Sequence, residues 1–442
     1  MDLTLQLFAD NTWQDAMRLR FPDPARGFLG GCHYGYLDPY IWDNDPHLDA
    51  PFARSVSVRA PLSFEWNQAP QAPAFLYDIA PAGAARRSLM KRLGGSKPVN
   101  LAEDLFLLAR STPAPIGHLR IKESMAYFAD DVGQHPGFVR QDIIERESGF
   151  IEYAYEMGAA IGGATGAGGA APKLLMSEDR QGRLHPDAVL DDQQVAFHWF
   201  VKFPRNTANQ RDREILQSEY YYYRALQVLG VDTIAEQGLS LEGGDRPSLW
   251  MKRFDRAITP QGVERLALES VYSLAGVTEA GAYMEHTAVI NRLATLWSEA
   301  GQQDEVQSLI DDYLRRDLLN KILGNSDNHG RNTSILRGEA SFRLAPIYDL
   351  APMVMDDEGI SRTSKWPRPI EVGGEVDWQL ACASLKQWVR PDDAFERLRK
   401  TAGELLALPD ILAGMALPQA TWNHPGVKLK NLRSYLQRGG LV

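Results

Sequence analysis

Cysteine is the scarcest residue type in the chain, with Cys32 and Cys382 the only two among 442 residues. They lie far apart and lack the spacing of metal ligands, which argues against a disulfide framework and a structural zinc site. Long apolar runs are also missing, because none approaches the roughly 20 residues that a membrane-spanning helix needs. The first residues, MDLTLQLFADNTW, carry acids and lack the basic and apolar segments of a signal peptide. We therefore expect a cytoplasmic protein that makes no membrane contact.

The chain also has no excess of positive charge. Its 47 Lys and Arg residues are outnumbered by 57 Asp and Glu residues, which gives a formal charge of −10. A protein that binds nucleic acid over a broad surface needs basic groups to neutralise the phosphates. We therefore expect no direct nucleic-acid binding of that kind. The apolar and charged fractions, 44% and 24%, are ordinary for a globular protein and argue against global disorder.

The length allows two or three domains, and the pattern of elements changes near residues 120 and 256. Residues 1–120 predict a small mixed α/β accessory domain, with strands in LTLQLFA, SVSVRAPLSFEW and FLYDIA and helices in AARRSLMKRLG and AEDLFLLARST. Residues 121–256 predict a β-rich lobe, and residues 257–442 a mainly helical one. The expected fold class is α+β, with two lobes following an N-terminal accessory domain.

Lys202 ends a predicted strand in QVAFHWFVKFP, where the period-two pattern places it on the face opposite Val201. The next segment, REILQSEYYYYRALQVLG, predicts a helix that ends at Gly230. A strand lysine held by a helix carboxylate can neutralise phosphate oxygens of a nucleotide. Glu219 on this helix is the expected partner, and Glu214 is also available. A lysine that points into solvent is the alternative for this position.

The loop N-S-D-N-H-G-R-N at 325–332 follows a helix that stops at Gly324, and a predicted hairpin then leads to Asp349. Phosphoryl transfer needs a carboxylate to orient the attacking hydroxyl group, and Mg²⁺ needs oxygen ligands. Asp327 suits the first role. Asn332 and Asp349 suit the second, because the hairpin folds Asp349 back beside Asn332. Asn, Asp and Gly also build ordinary turns after helices, so the loop by itself favours neither interpretation.

His329 belongs to the same loop. A single histidine between Asn and Gly more often orients the backbone through hydrogen bonds than acts as a base. We therefore assign His329 a structural role in the nucleotide-binding loop.

Residues 158–173, GAAIGGATGAGGAAPK, are the one low-complexity segment. Consecutive glycines let backbone N–H groups approach phosphates closely, so Gly166, Gly168 and Gly169 are candidate nucleotide contacts. The segment does not match a Walker-type loop and fits a dinucleotide fingerprint only loosely, and a flexible linker has the same composition. Its place ahead of Lys202 is what favours nucleotide binding.

Several motifs occur in the order in which a kinase uses them, and together they resemble the HipA family, the kinase toxins of bacterial toxin–antitoxin pairs. The likeness is strongest from 160 to 352 and weaker in the N-terminal part, where it rests on LYDIAPAGAAR and PIGHLRI. The motifs are GAAPK at 169–173, FVKFP at 200–204, SEYY at 218–221, KRFDR at 252–256, GNSDNHGRNTSI at 324–335 and PIYDL at 346–350.

This resemblance implies a two-lobed protein-kinase-like fold that binds ATP and Mg²⁺ between its lobes. It implies phosphorylation of serine or threonine in a protein substrate, because the substrates of family members are proteins that include aminoacyl-tRNA synthetases. It also implies restraint by a HipB-like helix-turn-helix antitoxin, through which DNA would be reached. The implied roles are acid/base catalysis for Asp327, Mg²⁺ binding for Asn332 and Asp349, phosphate binding for Lys202, and contact with adenine for a hinge of Leu249, Trp250 and Met251.

The chain departs from the family at one position. A serine that many members autophosphorylate in the Gly-rich motif is replaced by Gly166, with Thr165 beside it. Self-inactivation at that serine is therefore not expected, and Thr165 would be the variant site. Two other functions remain open: phosphorylation of a small molecule or lipid on the same fold, and a nucleotide-binding interaction or corepressor module without catalysis.

Overall fold

A five-stranded antiparallel sheet forms the centre of the N-terminal part in the computed structural model. The structure describes residues 1–44, 52, 54–127, 137–145, 172–205, 207–338 and 341–442. The predicted nucleotide contacts Gly166, Gly168 and Gly169, together with Thr165, lie outside these described residues. The strands, in the spatial order β4-β3-β2-β1-β5, are β1 Asp2–Ala9, β2 Thr12–Arg20, β3 Cys32–Tyr36, β4 Asn67–Ala69 and β5 Leu119–Ile121.

The alternation of apolar residues along β1 explains why this sheet has a buried face. Leu3, Leu5 and Leu7 are all buried in one core, as expected for residues two apart on a strand. Asp10 and Asn11 both have positive φ and form the tight turn to β2, which suits residue types that tolerate the left-handed region. The helices of this part are α1 Asp38–Asp43, α2 Leu76–Ile79, α3 Gly83–Leu93 and α4 Glu103–Arg110.

Two of the strand predictions in this domain are wrong. Within residues 55–66 the structure has a single bridge between Ser57 and Ala60, because Pro61 cannot donate to a strand ladder. FLYDIA contains helix α2 instead of a strand, and Leu76 and Ile79 are both buried. A short apolar run is compatible with either element from its pattern alone.

A second five-stranded antiparallel sheet, in the order β7-β6-β8-β10-β9, forms the β-rich lobe. Val201 packs with Leu174 and Trp250 on one face, and Lys202 lies on the other face, as predicted. Helix α6 begins at a reciprocal cap between Asn209 and Asp212. The elements are α5 Arg140–Glu145, β6 Lys173–Asp179, β7 Leu184–Pro186, β8 Val195–Lys202, α6 Gln210–Val228, β9 Ser240–Glu242 and β10 Ser248–Lys252.

Three short strands follow where the sequence predicts mainly helix from about residue 259. Each has only four residues, which is too short for a clear period. The predicted hairpin before Asp349 is confirmed, and it pairs with β13 to make a three-stranded sheet. The strands are β11 Arg256–Thr259, β12 Gly262–Arg265, β13 Ala267–Ser270, β15 Ser334–Arg337 and β16 Phe342–Leu344.

The rest of the chain is a helical lobe that shares its core with α6. Gly324 ends α9 with φ 72°, and a Cβ there would meet side chains of Val354 and Val427 at 2.8 and 2.9 Å. None of the described helices is long and apolar enough to cross a membrane. The helices are α7 Val271–Ala275, α8 His286–Glu299, α9 Val306–Leu323, α10 Trp378–Ala383, α11 Pro391–Leu405, α12 Leu408–Ala413, α13 Gln419–Asn423 and α14 Leu432–Arg438; the short strands are β14 Met284–Glu285, β17 Ser364–Lys365, β18 Glu371–Val372 and β19 Glu375–Val376.

Candidate active site

Lys202 lies at the end of β8 and its ammonium group joins the two lobes. Nζ donates to Glu219 Oε2 and to Asp349 Oδ1, each at 2.5 Å. Burial alone would lower the pKa of Lys202, but the carboxylates of Asp349 and Glu219 outweigh it and raise the pKa. Glu214, the other carboxylate considered for this role, accepts instead from Gln210 at 3.0 Å. The strand lysine and helix glutamate therefore meet as the sequence predicts.

Glu219 is held from a second side. Its Oε1 accepts from the hydroxyl of Tyr223, one turn further along α6, at 2.8 Å. The same hydroxyl accepts from the backbone N–H of Leu350 at 3.4 Å. Since Leu350 follows Asp349, the glutamate and the aspartate that contact Lys202 are also connected through Tyr223.

Asp349 lies between two lysines. Its Oδ2 is 3.2 Å from Nζ of Lys173, and β6 pairs with β8 in a register that sets Lys173 directly opposite Lys202. Like charges directly opposite on adjacent strands repel, and the carboxylate of Asp349 neutralises that repulsion. Burial would raise the pKa of Asp349, but Lys173 and Lys202 together lower it below its usual range. The residue has φ 54°, an uncommon conformation that is concentrated at functional sites.

The loop after α9 brings the remaining site residues to Asp349. Asn325 accepts from the backbone N–H of Asp327 at 3.2 Å and donates to the carbonyl of Asp349 at 3.4 Å. Asn332 Nδ2 donates to the carbonyl of Asp327 at 2.7 Å. These bonds gather Asp327, Asn332 and Asp349 at one place, although they span more than twenty positions in the sequence.

His329 supports this loop from the inside. Its Nδ1 accepts from the backbone N–H of Arg331 at 3.2 Å, which leaves the ring proton on Nε2, 3.6 Å from Asp327 Oδ1. The ring stacks on Tyr272. Burial lowers the pKa of His329, and the nearby carboxylates of Asp327 and Asp349 oppose this only in part. A neutral, buried ring that orients backbone is consistent with the structural role expected for it.

A cleft opens between the lobes at these residues. It consists of two adjoining cavities of about 820 and 470 Å³, which share the side chains of Lys173, Lys202, Glu219 and Asp349. Asp327 lines the smaller cavity. Because Lys173 and Lys202 line both cavities and Asp327 lines only the smaller one, the smaller cavity suits the phosphates of a nucleotide and the group that receives one, and the larger cavity suits the base and sugar.

The wall of the larger cavity lies further along the chain than the predicted hinge. Residues 251–254 line it, so Met251 has the expected place. Leu249 and Met251 are both buried in the main core, although Leu249 does not line the cavity, and Trp250 packs edge-on against Trp199, with ring centroids 5.6 Å apart, on the opposite side of the sheet. Alternation along β10 explains the position of Trp250, because neighbouring residues of a strand face opposite ways, whereas Leu249 lies on the same face as Met251.

The donors around Asp327 fit a magnesium ion. Among the described residues Asn332 Oδ1 is buried without a hydrogen-bond partner, and Asp349 adds carboxylate oxygens. The described residues contain no group of three His, Cys, Asp or Glu side chains that could enclose a metal. Mg²⁺ in phosphate-transfer sites is usually held by one or two protein oxygens together with substrate phosphates and water. The arrangement matches that pattern.

Lys173 and Asp78 are among the cleft residues to which the sequence analysis assigned no role. Lys173 was noted within a motif but given no role, although it could have been paired with Lys202 from the antiparallel order of β6 and β8. Asp78, in the N-terminal domain, lines the larger cavity. No local pattern in the sequence points to it, because its neighbours in the cleft are some two hundred residues away in the chain.

Comparisons with known proteins bear on the fold and the family of this chain. The structure aligns with HipA from the structure "Shewanella oneidensis MR-1 Toxin Antitoxin System HipA, HipB and its operator DNA complex" at a TM-score of 0.63 and 17% identity, covering 99% of this chain and 96% of that one. At this identity the likeness shows the fold alone. The sequence is 28% identical over 162 residues to "Putative kinase Y4mE" of Sinorhizobium fredii, a match that spans 35% of this chain and 34% of that relative.

The sequence pattern of one family covers most of the cleft, but not Asp78 and Ile116 of the N-terminal domain. Residues 165–407, just over half of the chain, match the HipA-like C-terminal domain. This range includes both lysines, the glutamate and the 325–332 loop. The chain therefore belongs to the family of proteins with a HipA-like C-terminal domain.

Proposed function

We propose that this protein is an ATP-dependent protein kinase that phosphorylates serine or threonine. The observation that carries the proposal is the meeting of Lys202, Asp349 and Asp327 in one cleft. Asn332 is bonded to the carbonyl of Asp327, and its Oδ1 has no hydrogen-bond partner among the described residues. Each of these side chains has a separate task in phosphoryl transfer, which needs positioned charge more than covalent chemistry.

Asp327 acts as the base in this proposal. It orients the substrate hydroxyl and accepts its proton, and the buried ring of His329 lies beside it, with Nε2 3.6 Å from Asp327 Oδ1. Lys202 and Lys173 neutralise phosphate oxygens, and Glu219 keeps Lys202 directed into the cleft. Asn332 and Asp349 would hold Mg²⁺. When bound, the ion would supply charge neutralisation at the phosphates.

The partner and the substrate follow from the family and remain proposals for this chain. The matched Shewanella HipA structure contains HipB and operator DNA. We propose that this protein is a toxin restrained by a HipB-like helix-turn-helix antitoxin, and that its substrate is a protein of the translation machinery such as an aminoacyl-tRNA synthetase. Its formal charge of −10 favours contact with DNA through such a partner over direct binding.

Replacement of the base tests the catalytic proposal. Asp327→Asn keeps the shape of the side chain but cannot accept the proton, so transfer of radiolabelled phosphate from ATP to lysate proteins should fall by about 10²–10⁴-fold. The matched control is Asp393→Asn, an aspartate on the surface of the helical lobe that pairs with an exposed arginine.

The outcome is read together with the melting temperature. Unchanged transfer by folded Asp327→Asn would overturn the assignment of the base. If the wild-type protein labels lipids or small molecules but no protein, the scaffold is a kinase of a different substrate class. Expression of wild type and Asp327→Asn beside the neighbouring gene products, followed by phosphoproteomics, identifies the substrate and the partner.

A further inference from the structure

Asp78 belongs to the N-terminal domain, but its side chain bonds to a residue outside that domain. It lies on helix α2, and its side chain is only 12% exposed. Both of its carboxylate oxygens accept from one residue of the kinase part: Ser270 Oγ donates to Oδ1 at 2.7 Å, and Ser270 N donates to Oδ2 at 2.9 Å. A carboxylate that accepts two bonds from a single residue fixes both the position and the orientation of that residue.

Ser270 begins the segment that holds the catalytic loop. It is the last residue of β13 and caps helix α7. The next two residues donate their backbone N–H groups to the loop and its exit: Val271 to the carbonyl of Thr333 at 2.9 Å, and Tyr272 to that of Gly330 at 3.1 Å. Two short steps therefore connect Asp78 to the loop that carries Asp327 and Asn332.

Asp78 also faces the loop directly. The Nε atom of Arg331 is 3.8 Å from Asp78 Oδ1. Arg331 is buried, and its side chain lines the larger cavity together with Asp78. Since Arg331 precedes Asn332, a movement of its side chain would be passed to the proposed magnesium ligand.

The residue next to Ser270 is anchored by the N-terminal domain as well. Glu269 accepts from Ser57 Oγ at 2.5 Å and from the backbone N–H of Val58 at 3.1 Å. Two separate segments of the N-terminal domain therefore hold the end of β13.

The N-terminal domain is bonded to the other side of the cleft too. Gly117 N donates to Asp255 Oδ2 at 2.8 Å, and Arg256 donates to the carbonyl of Gly117 at 2.7 Å. Asp255 borders the wall of the larger cavity, which also contains Ile116. The N-terminal domain thus contacts both the wall of the larger cavity and the segment that supports the catalytic loop.

We propose that Asp78 is a positioning residue for phosphoryl transfer, through which the N-terminal domain keeps the catalytic loop in register with the nucleotide-binding wall. The inference rests on the proposed kinase function. A purely stabilising role fits Asp78 less well, because burial raises the pKa of its carboxyl to about 6 against the opposing effects of Arg331 and Ser270. An ionised group with a raised pKa lowers the stability of the folded state at neutral pH.

The test compares Asp78→Asn with wild type in the full chain. Asn matches the size of Asp but presents an N–H group to one of the two Ser270 donors, so the loop should shift. We expect kcat to fall by about 10–100-fold, the order that a misplacement of about 1 Å causes, with KM for ATP changed less than about threefold. Asp2→Asn is the matched control, because Asp2 forms an exposed pair with Arg20 in the same domain.

Hydrogen exchange provides a readout that does not depend on activity. In Asp78→Asn the peptide covering 325–338 should exchange faster, while α9 and the N-terminal sheet stay as in wild type. If wild-type protein transfers no phosphate, the proposed function fails, yet the exchange data still decide the role of Asp78.

A second variant guards against a folding defect. Ser270→Ala removes the Oγ donor and should reproduce the selective exchange at 325–338, and the double variant should lose little more than Asp78→Asn alone. Unchanged kcat and exchange in both variants would overturn the proposal. So would faster exchange spread evenly over the chain, because that result indicates a general structural role.

Discussion

Two clusters of buried charged side chains lie on the same face of the second sheet, and they differ in how far a ligand can reach their charged groups. The cleft cluster consists of Lys173, Lys202, Glu219 and Asp349. The second cluster is called the hinge cluster, because three of its residues follow the predicted hinge 249–251 in the chain. It consists of Asp187, His198, Arg253, Asp255 and Arg256. Each cluster has one residue on β8, Lys202 in the cleft cluster and His198 in the hinge cluster. These two residues are four positions apart, which is about 13 Å along a strand.

The hinge cluster is closed. Arg253 donates to both oxygens of Asp255 at 2.9 and 2.7 Å and to Asp187 at 2.7 Å, and His198 lies 2.8 Å from Asp187. The Asp187 side chain is only 2% exposed. Burial would raise the pKa of Asp187, but Arg253 and His198 hold it far below its usual range. Asp187 and His198 line neither cavity of the cleft, and most charged atoms of the cluster bond to one another, although Arg253 and Asp255 border the larger cavity. Among the described residues, His198 Nε2 and Arg256 Nε are buried without a hydrogen-bond partner.

The cleft cluster is open. Asp349 also has a lowered pKa, but its side chain is 19% exposed, and two lysines share it at the edge of a cavity. A perturbed pKa in a buried ion pair therefore does not distinguish a catalytic group from a structural one. Access of a ligand to the paired charges makes the distinction.

The largest effect is expected in the open cluster. Lys202→Met removes the cation that faces the phosphates, so transfer should fall by about 10²–10³-fold, as for removal of one preorganised electrostatic group. The free energy of unfolding should change less than in the variant of the closed cluster described next, because Asp349 keeps Lys173 as a partner and Glu219 keeps Tyr223. Steady-state kinetics and thermal melting measure the two effects, and Lys365→Met on the surface is the control. Retained transfer would contradict the assignment of this cluster to phosphate binding.

The closed cluster should respond in the opposite way. Asp187→Asn leaves Arg253 with an incomplete set of partners in a buried site, and we expect a loss of about 3 kcal/mol in the free energy of unfolding. KM for ATP should remain within about twofold in the folded protein. Denaturant titration measures the loss, with the exposed Glu236→Gln as control at under about 1 kcal/mol. A large change in KM with full stability would erase the contrast between the clusters.

The pH dependence of stability should separate Asp78 from Asp187. The pKa of Asp78 is raised from 3.8 to about 6, so its contribution favours the folded state at low pH and is lost as pH rises from about 4 to 6. The two-unit shift corresponds to about 2–3 kcal/mol. Asp187, with its lowered pKa, contributes in the opposite sense, because its stabilisation is lost as pH falls below about 4.

Unfolding free energies at pH 4 and pH 7 measure this prediction. Wild type should lose stability relative to Asp78→Asn over that range, and the difference between the two proteins isolates the one carboxyl from all others. An equal pH dependence in both would show that Asp78 titrates normally, and its position in the cleft would then cost the fold nothing.

Much of the site could be predicted because its parts are local. The alternation around Lys202 sets the face of a strand, and the helix that ends at Gly324 is followed by a loop rich in Asn and Asp. Each of these patterns depends on neighbours a few residues away. The sequence did not say which residues of the predicted hinge face the cavity: Met251 lines it, whereas Trp250 packs on the opposite side of the sheet, because neighbouring side chains of a strand alternate. Contact of the hinge with adenine stays a prediction.

The sequence by itself determined which chemical groups this protein brings to its cleft: a strand lysine, a helix glutamate and a loop with Asp327 and Asn332. Only the tertiary structure decided which charges meet. Glu219 was selected over Glu214, Lys173 was set against Lys202, and Asp78 was brought to Ser270 from another domain. Strand register and the packing of distant segments decide such pairings. Both depend on contacts between residues far apart in the chain, which a local pattern does not encode.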